Sequence, residues 1–357
     1  MENVVRPHSV FSTNPDWQQK INHLCRHHIK ADERLDHMLF LRELFFPEDQ
    51  QTQEAAITRF PTPTLIQLLT ACQWLDDWPL IIYCCQEYQN RLKNTLPGKK
   101  QQKQAASNLR LLIRAYQQQG LFAEAEQCLR QAAPGHHRAL ADEYQQLQQR
   151  ISNLPQGAEA LCSDTLLLTP LEPCHERDFF RQYADPEIAD LCVLPEFSDK
   201  KKENWQQWLL QCRQSGTEHL FAIQHEYWGF LGSISLEILD RVGFFYFWLG
   251  PDFQGYGFGP EAVNILLNWA DRYPGLRSCY TKICPDNTPS QKAVRKAGFQ
   301  ALPFKVIVPG EEDEYEDEYL YYRGEQKTEE QLLAEINRLF IRIESDQRAV
   351  PVASGCD

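Results

Sequence analysis

Gln254, Gly257 and Gly259 stand in the spacing Q-x-x-G-x-G, with a further glycine at 255. The aromatic run Tyr246-Phe247-Trp248-Leu249 precedes them, and Pro260 and an apolar helical run follow. A strand that breaks into a glycine loop and then starts a helix points backbone N–H groups and the positive end of a helix dipole at one place, which is chemistry suited to phosphate. Glycine at 255, 257 and 259 permits positive φ and close approach of a ligand. A ligand-free tight turn has the same local spelling. A dinucleotide site would need G-x-G-x-x-G inside a parallel βαβ unit, with an acidic residue about twenty positions on.

The elements around the loop narrow these alternatives. Asp164–Pro170 reads as a strand, followed by helices at 177–185 and 205–213. Two strands at 220–223 and 228–236 meet at a turn near His225-Glu226, and an aromatic strand spans 243–249. A helix from Pro260 to about Tyr273, a strand at 276–284, a helix ending at Gly298 and a closing hairpin through Tyr322 complete the order. Pro260 suits a first helical position, and Thr288 with Pro289 suits a cap and first residue. This alternation implies an α+β mixed sheet with flanking helices and not a regular βαβ repeat.

The order and wording of residues 164–325 resemble the GNAT acetyltransferase superfamily, closest to the Rim type that acetylates ribosomal-protein N-termini. The matching words are L-x-L-T-P-L at 166–171, G-F-L-G-S-I-S-L at 229–236, F-W-L-G-P at 247–251, Q-G-Y-G-F-G-P-E-A at 254–262, D-N-T-P-S at 286–290 and K-A-G-F at 296–299. The resemblance implies an N-acetyltransferase with acetyl-CoA as cosubstrate. Backbone N–H groups of Gln254, Gly255, Tyr256, Gly257, Phe258 and Gly259 would hold the pyrophosphate. Trp248 and Leu249 would bond the pantetheine arm and thioester, and Asn287 would orient the cofactor. Many members carry a tyrosine seven residues after this Asn; here Val294 stands there, and the Rim-type alternative is Ser290. Ser290 is equally readable as a first-turn helix residue bonding backbone. Attack by an amine needs a base. Glu237 is the candidate; Glu261 reads as an acid offsetting the helix dipole, and water relays are the alternative.

Acceptor recognition is thinner in the sequence. Residues 1–155 hold 17 basic and 16 acidic residues, the remainder 19 and 33. An acidic second half argues against nucleic acid and suits a cationic amine. Glu311, Glu312, Asp313, Glu314, Glu316, Asp317 and Glu318 could form an attracting wall, or a solvated turn.

The first half reads as an all-α domain of helical hairpins. Ala115, Gly120, Phe122, Ala125 and Ala132 resemble one tetratricopeptide repeat, and residues 64–91 resemble a degenerate second. Such a domain suits a protein partner, or packing alone. The expected organisation is a helical domain at 1–155, a linker at 156–163, the acetyltransferase domain at 164–325, and a C-terminal helix with a disordered tail at 326–357. A Gly/Lys/Gln linker is expected at 96–104. The N-terminus lacks a signal-peptide core, and no apolar run is long enough for a membrane span. The twelve cysteines contain no C-x-x-C and read as reduced, buried hydrophobes of a cytoplasmic protein. His23, Cys25, His27 and His28 read as ordinary helix residues, so no metal site is expected. Three functions follow: a protein or peptide N-acetyltransferase, a small-molecule amine acetyltransferase, or a non-catalytic acyl-CoA-binding scaffold.

Overall fold

A computed structural model describes residues 17–25, 33–46, 56–93, 99–132, 140–183, 188, 202–309, 318–343 and 347–352. The chain divides into two compact units: Met1–Leu154 with His225–Gly229, and Pro155–Gln224 with Phe230–Asp357.

The described part of the first unit is helical: α1 (Trp17–Leu24), α2 (Arg34–Phe45), α3 (Thr62–Leu75), α4 (Trp78–Lys93), α5 (Lys99–Gln118), α6 (Phe122–Gln131) and α7 (Ala141–Ser152). Helix α5 begins at Lys99, so most of the expected 96–104 linker is helix. Its Lys/Gln-rich start is made of good helix formers and needs no apolar face of its own. Helices α3 to α7 pack in succession. Asp76 ends α3 in the left-handed region at φ 51°, and Gly120 takes φ 73° between α5 and α6. Leu65, Leu68, Cys72, Ile81, Cys84 and Cys85 are fully buried and fill the α3–α4 core. Burial pushes the Cys85 thiol up to about 12, so it behaves as a small hydrophobe at neutral pH. Beside this core Arg42 donates to both carboxylate oxygens of Asp77. The same guanidinium donates to the Tyr227 carbonyl and lies 4.6 Å from the Tyr227 and Trp228 ring centres.

The second unit contains an eight-stranded sheet in the order β1-β2-β3-β4-β5-β7-β6-β8. Its strands are β1 (Leu166–Pro170), β2 (Glu218–His225), β3 (Gly229–Leu239), β4 (Val242–Leu249), β5 (Ser278–Ile283), β6 (Gln300–Ile307), β7 (Glu318–Gly324) and β8 (Arg348–Pro351). Helices α8 (Glu176–Tyr183), α9 (Lys202–Ser215), α10 (Phe258–Arg272), α11 (Thr288–Lys296) and α12 (Glu329–Ile343) flank it. The expected element order of residues 164–325 holds.

Period-two alternation assigns opposite neighbours to successive residues of β4. Phe245 packs against Phe299, and Phe247 lies where a Cβ on Gly259 would come within 3.0 Å. Phe244 packs in a cluster with Tyr280, Leu320 and the α12 residues Ile336 and Phe340. Trp248 joins Phe179, Trp205 and Phe230 in a cluster with α8 and α9. Helix α12 is bolted to β5 through Glu335, which accepts from Ser278 Oγ at 3.1 Å, Tyr280 Oη at 2.8 Å and Lys327 Nζ at 2.6 Å.

Three expectations need correction. Residues 348–351 form β8, paired antiparallel to β6 across Phe304–Ile307, and not part of a disordered tail. The Asn337 side chain donates to the Ala349 carbonyl and accepts from its N–H, which ties β8 to α12. Helix α10 starts at Phe258, so Pro260 is its third residue, still among the positions whose N–H lacks an intrahelical acceptor. The cap of α11 is Asn287, with Thr288 and Pro289 the first two helical residues.

Candidate active site

Strands β4 and β5 run parallel but pair only at Val242–Phe244 with Ser278–Tyr280. Beyond Phe244 the two diverge, and β4 leaves one edge without a strand partner. Antiparallel ladders alternate bonded and non-bonded positions. Gly250 N–H donates to the Leu231 carbonyl at 2.8 Å. Counting back along β4, Trp248 and Tyr246 face β3, while Phe247 and Leu249 turn their backbone groups toward the opening. The Leu249 carbonyl accepts from Gln254 Nε2 at 3.2 Å, which ties the strand end to the loop.

A cavity of about 520 Å³ occupies this end of the sheet. Phe247, Trp248 and Leu249 form one wall; Gln254, Gly255, Gly257 and Gly259 form the next. Gly255 and Gly257 have φ of 81° and 91°, and a Cβ on either would meet no protein atom within 4 Å. Bare backbone turned toward open space is what a phosphate cradle requires. The starts of α10 and α11 both reach the cavity, through Gly259 and Pro260 and through Asn287 to Ser290. Both helix dipoles point their positive ends toward this space, but the first-turn N–H groups of α11 are taken: Thr288 donates to the Asp286 carbonyl, Ser290 to Asn287 Oδ1 and Gln291 to the Asn287 carbonyl. The cradle therefore fits a ligand that joins phosphates to a long polar arm.

Most of the residues expected at the cofactor meet here: Trp248, Leu249, Gln254, Gly255, Gly257, Gly259 and Asn287 line the cavity, and so does Ser290. The Trp248 backbone is paired with Ser233 of β3, so it does not present free groups to the opening. Tyr256 and Phe258 do not line the cavity; their rings lie 6.1 Å apart, and Tyr256 is exposed. Asn287 Oδ1 accepts from Ser290 N–H at 3.1 Å. Val294 lies on the inner face of α11 and is fully buried, and its side chain has no hydroxyl to stand in for the common tyrosine.

Glu237 is not brought to this site. It pairs with Phe244, five positions along β4 from the Gly232–Leu249 pair, or about 16 Å of strand. Its carboxylate accepts from Thr217 Oγ1 at 3.3 Å. Glu261 is occupied by Ser163 Oγ at 2.5 Å and Thr165 Oγ1 at 2.7 Å, as a first-turn acid of α10. Glu318 is the carboxylate nearer the opening in the sheet. Tyr319 pairs with Ile283, so Glu318 stands one step further on, at the end of β5 that leads to Asn287. It is buried and ion-paired with Lys282 Nζ at 2.9 Å, and that amine also donates to Gln347 Oε1 at 2.8 Å. Glu311 to Asp317 lie outside the described residues, so the acidic wall has no structural account.

Three of the lining residues bring chemistry that was not anticipated. Ile188 adds an apolar contact, while Lys292 and Lys296 add cations. The lysines stand four apart on a short helix with no acidic residue, a signal present in the sequence.

Residues 165–300 match the family model described as Acetyltransferase (GNAT) domain. The second half of this chain carries a GNAT acetyltransferase domain. An N-acetyltransferase 9-like protein of Caenorhabditis briggsae is 26% identical over 178 residues, 42% of this chain and 86% of that one. Among solved structures, the GNAT domain is similar to RimL, a ribosomal L7/L12 alpha-N-protein acetyltransferase in complex with coenzyme A. That likeness has 19% identity and a TM-score of 0.40, covering 45% of this chain and 94% of that one. A spermidine N-acetyltransferase from Vibrio cholerae, in complex with CoA and spermine, is similar at 17% identity and a TM-score of 0.40, covering 45% and 96%. The GNAT domain makes this chain an acyl-CoA-dependent N-acetyltransferase with acetyl-CoA as cosubstrate. No described helix is long and apolar enough to cross a membrane.

Proposed function

We propose that this protein transfers the acetyl group of acetyl-CoA to a primary amine of a protein or peptide. The observation that carries the transfer chemistry is the opening between β4 and β5, with the Phe247 and Leu249 backbone on one side and Asn287 and Ser290 at its end. The free N–H groups of β4 would align the pantetheine arm and polarise the thioester carbonyl, so that an attacking amine meets a fixed electrophile. Gln254 to Gly259 would take the pyrophosphate on backbone N–H groups. Asn287 would set the cofactor at the cavity mouth. The Ser290 hydroxyl would donate to the departing thiolate. Glu318 would receive the amine proton through solvent, since Glu237 stands at the far end of its strand and Glu318 at the near end.

The helical first unit supports a protein acceptor. On α3, Ile66 and Trp74 are exposed and lie two turns apart on one face, an apolar surface that a small-molecule enzyme would not need. A tetratricopeptide-like platform is the reading that fits this face. Thiol release measured with a peptide panel and an amine panel tests the proposal. Turnover with peptides and not with polyamines or aminoglycosides is expected. Turnover only with small amines would reject the protein acceptor, and tight acetyl-CoA binding without turnover would point to a scaffold.

A further inference from the structure

A buried ion pair lies near the end of β5, in surroundings that are otherwise apolar. The Lys282 side chain is 2% exposed and that of Glu318 6%. Lys282 shares a face of β5 with Tyr280, and Glu318 shares a face of β7 with Leu320 and Tyr322. Those three neighbours belong to the cluster that packs against α12, and so does Val306, the β6 residue paired with Glu318. Burying two charges strips both of water, and well-packed apolar side chains of similar volume commonly fill such positions without loss of stability. Stability alone therefore gives little reason for a lysine and a glutamate here.

The pair stands at the opening in the sheet. Pairing of β4 with β5 ends at Phe244 and Tyr280. Two positions further on, and so on the same face, come Tyr246 and Lys282. Lys282 Nζ lies 5.9 Å from the centre of the Tyr246 ring, so the side chain reaches toward β4 where the backbones no longer pair. The same ammonium donates to Glu318 Oε2 at 2.9 Å and to Gln347 Oε1 at 2.8 Å. Segments from β5, β7 and the approach to β8 thus meet at one nitrogen. Two acceptors on different segments fix the ammonium, and the ammonium fixes the carboxylate. Neither Lys282 nor Glu318 lines the cavity assigned to the cofactor.

We propose that Lys282 is the positioning residue for Glu318, holding its carboxylate in one orientation beside the opening. The proposal rests on Glu318 as the group that receives the amine proton, and it adds the residue that aims it. A carboxylate working through solvent must hold a water where the amine will stand. A misplacement of about 1 Å in such an arrangement costs on the order of a hundredfold in rate. Lys282 touches neither the amine nor the thioester in this scheme and acts only through the carboxylate.

The test is a double-mutant cycle on the whole chain. Thiol release from acetyl-CoA is followed with the tetrapeptide or polyamine that the unaltered chain turns over fastest, and thermal unfolding checks the fold. Lys282→Met is expected to lower kcat about tenfold or more, with the acetyl-CoA Kd unchanged. Lys282→Arg, which keeps a cation and its donors, is expected to recover most of that loss. In a Glu318→Gln background, Lys282→Met is expected to change kcat by less than about twofold, because no carboxylate is left to aim. This double variant buries no charge, so it decides the question even where Lys282→Met alone, which strands a carboxylate, does not fold. A further loss in the Glu318→Gln background as large as the loss in the unaltered one would overturn the proposal. A lowered kcat in Glu318→Gln beside an unaffected Lys282→Met would overturn it while leaving Glu318 as the proton acceptor. An unchanged kcat in Glu318→Gln would remove the proton acceptor and the proposal together, as would an unaltered chain that releases thiol with no acceptor.

Discussion

Asn287 and Ser290 are joined by a hydrogen bond from the Ser290 backbone N–H to Asn287 Oδ1, at 3.1 Å. The amide expected to orient the cofactor thus also caps the helix that carries the hydroxyl expected to serve the thiolate. One oxygen holds the start of α11 against the cavity. Asn287→Ala is expected to lose about 1 kcal/mol of stability and to weaken acetyl-CoA binding as well. Asn287→Asp separates the two roles. It keeps the capping oxygen, so the unfolding midpoint holds, while a carboxylate at the cavity weakens binding by about tenfold or more. Calorimetry and thermal unfolding on both variants check this.

Ser290 and the two glutamates divide by role. Ser290→Ala is expected to lower kcat about tenfold with the acetyl-CoA Kd unchanged, because the hydroxyl acts on charge that develops only as the thiol leaves. Glu318→Gln is expected to lower kcat. Glu237→Gln leaves kcat alone. An effect of Glu237→Gln on kcat larger than that of Glu318→Gln would reverse the assignment.

Gly232 and Gly257 are glycines for different reasons. A Cβ on Gly232 would collide with the Trp248 carbonyl oxygen of the paired strand. Gly232→Ala therefore forces β3 from β4 beside the opening, and a clear loss of folded protein in thermal unfolding is expected. Gly257 has open space around its missing Cβ and a φ of 91°. Gly257→Ala costs about 1–2 kcal/mol of backbone strain. Its larger effect is expected on acetyl-CoA affinity, because the methyl group stands in the cradle.

Helix α12 makes stability depend on pH through Glu335. Burial raises the pKa of this carboxyl, but hydrogen bonds from Lys327, Tyr280 and Ser278 outweigh burial and leave it below the ordinary value. A carboxylate depressed in the folded state contributes stability above its unfolded pKa. That contribution is lost as pH falls through the folded one. Glu335→Gln is expected to be less stable than the unaltered chain at pH 7, by about 1–2 kcal/mol, and nearly equal to it in acid below the carboxylate range. Urea unfolding at the two pH values measures the difference.

In the helical unit, Arg42 and Asp77 are both buried and paired. Arg42→Met is expected to cost about 3–5 kcal/mol, because it strands a buried carboxylate. Arg42→Met with Asp77→Asn removes both charges and keeps an acceptor for the Leu80 N–H, which Asp77 Oδ1 now caps at 3.3 Å. The pair of changes is expected to recover most of the loss. Trp228, stacked on the Arg42 guanidinium, reports the change by fluorescence.

What the sequence determined by itself was local. The glycine loop is legible because positive φ at Gly255 and Gly257 is a property of a few adjacent residues, and the helix starts expected at Pro260 and Pro289 lie within two residues of those observed at Phe258 and Thr288. The order of elements in residues 164–325 followed from the same short-range periodicities. What only the tertiary structure decided depends on pairing between distant segments. Register moved Glu237 to the far end of β3 and Glu318 to the near end of β7, and a strand step of about 3.3 Å per residue makes that difference decisive. The end of pairing after Phe244 and Tyr280 created the opening, and no residue type on either strand announces it. Strand β8 exists because β6 offers it an edge and Asn337 holds it there. Lys292 and Lys296 were visible as cations on one helix face. Only the fold turned that face toward a cavity.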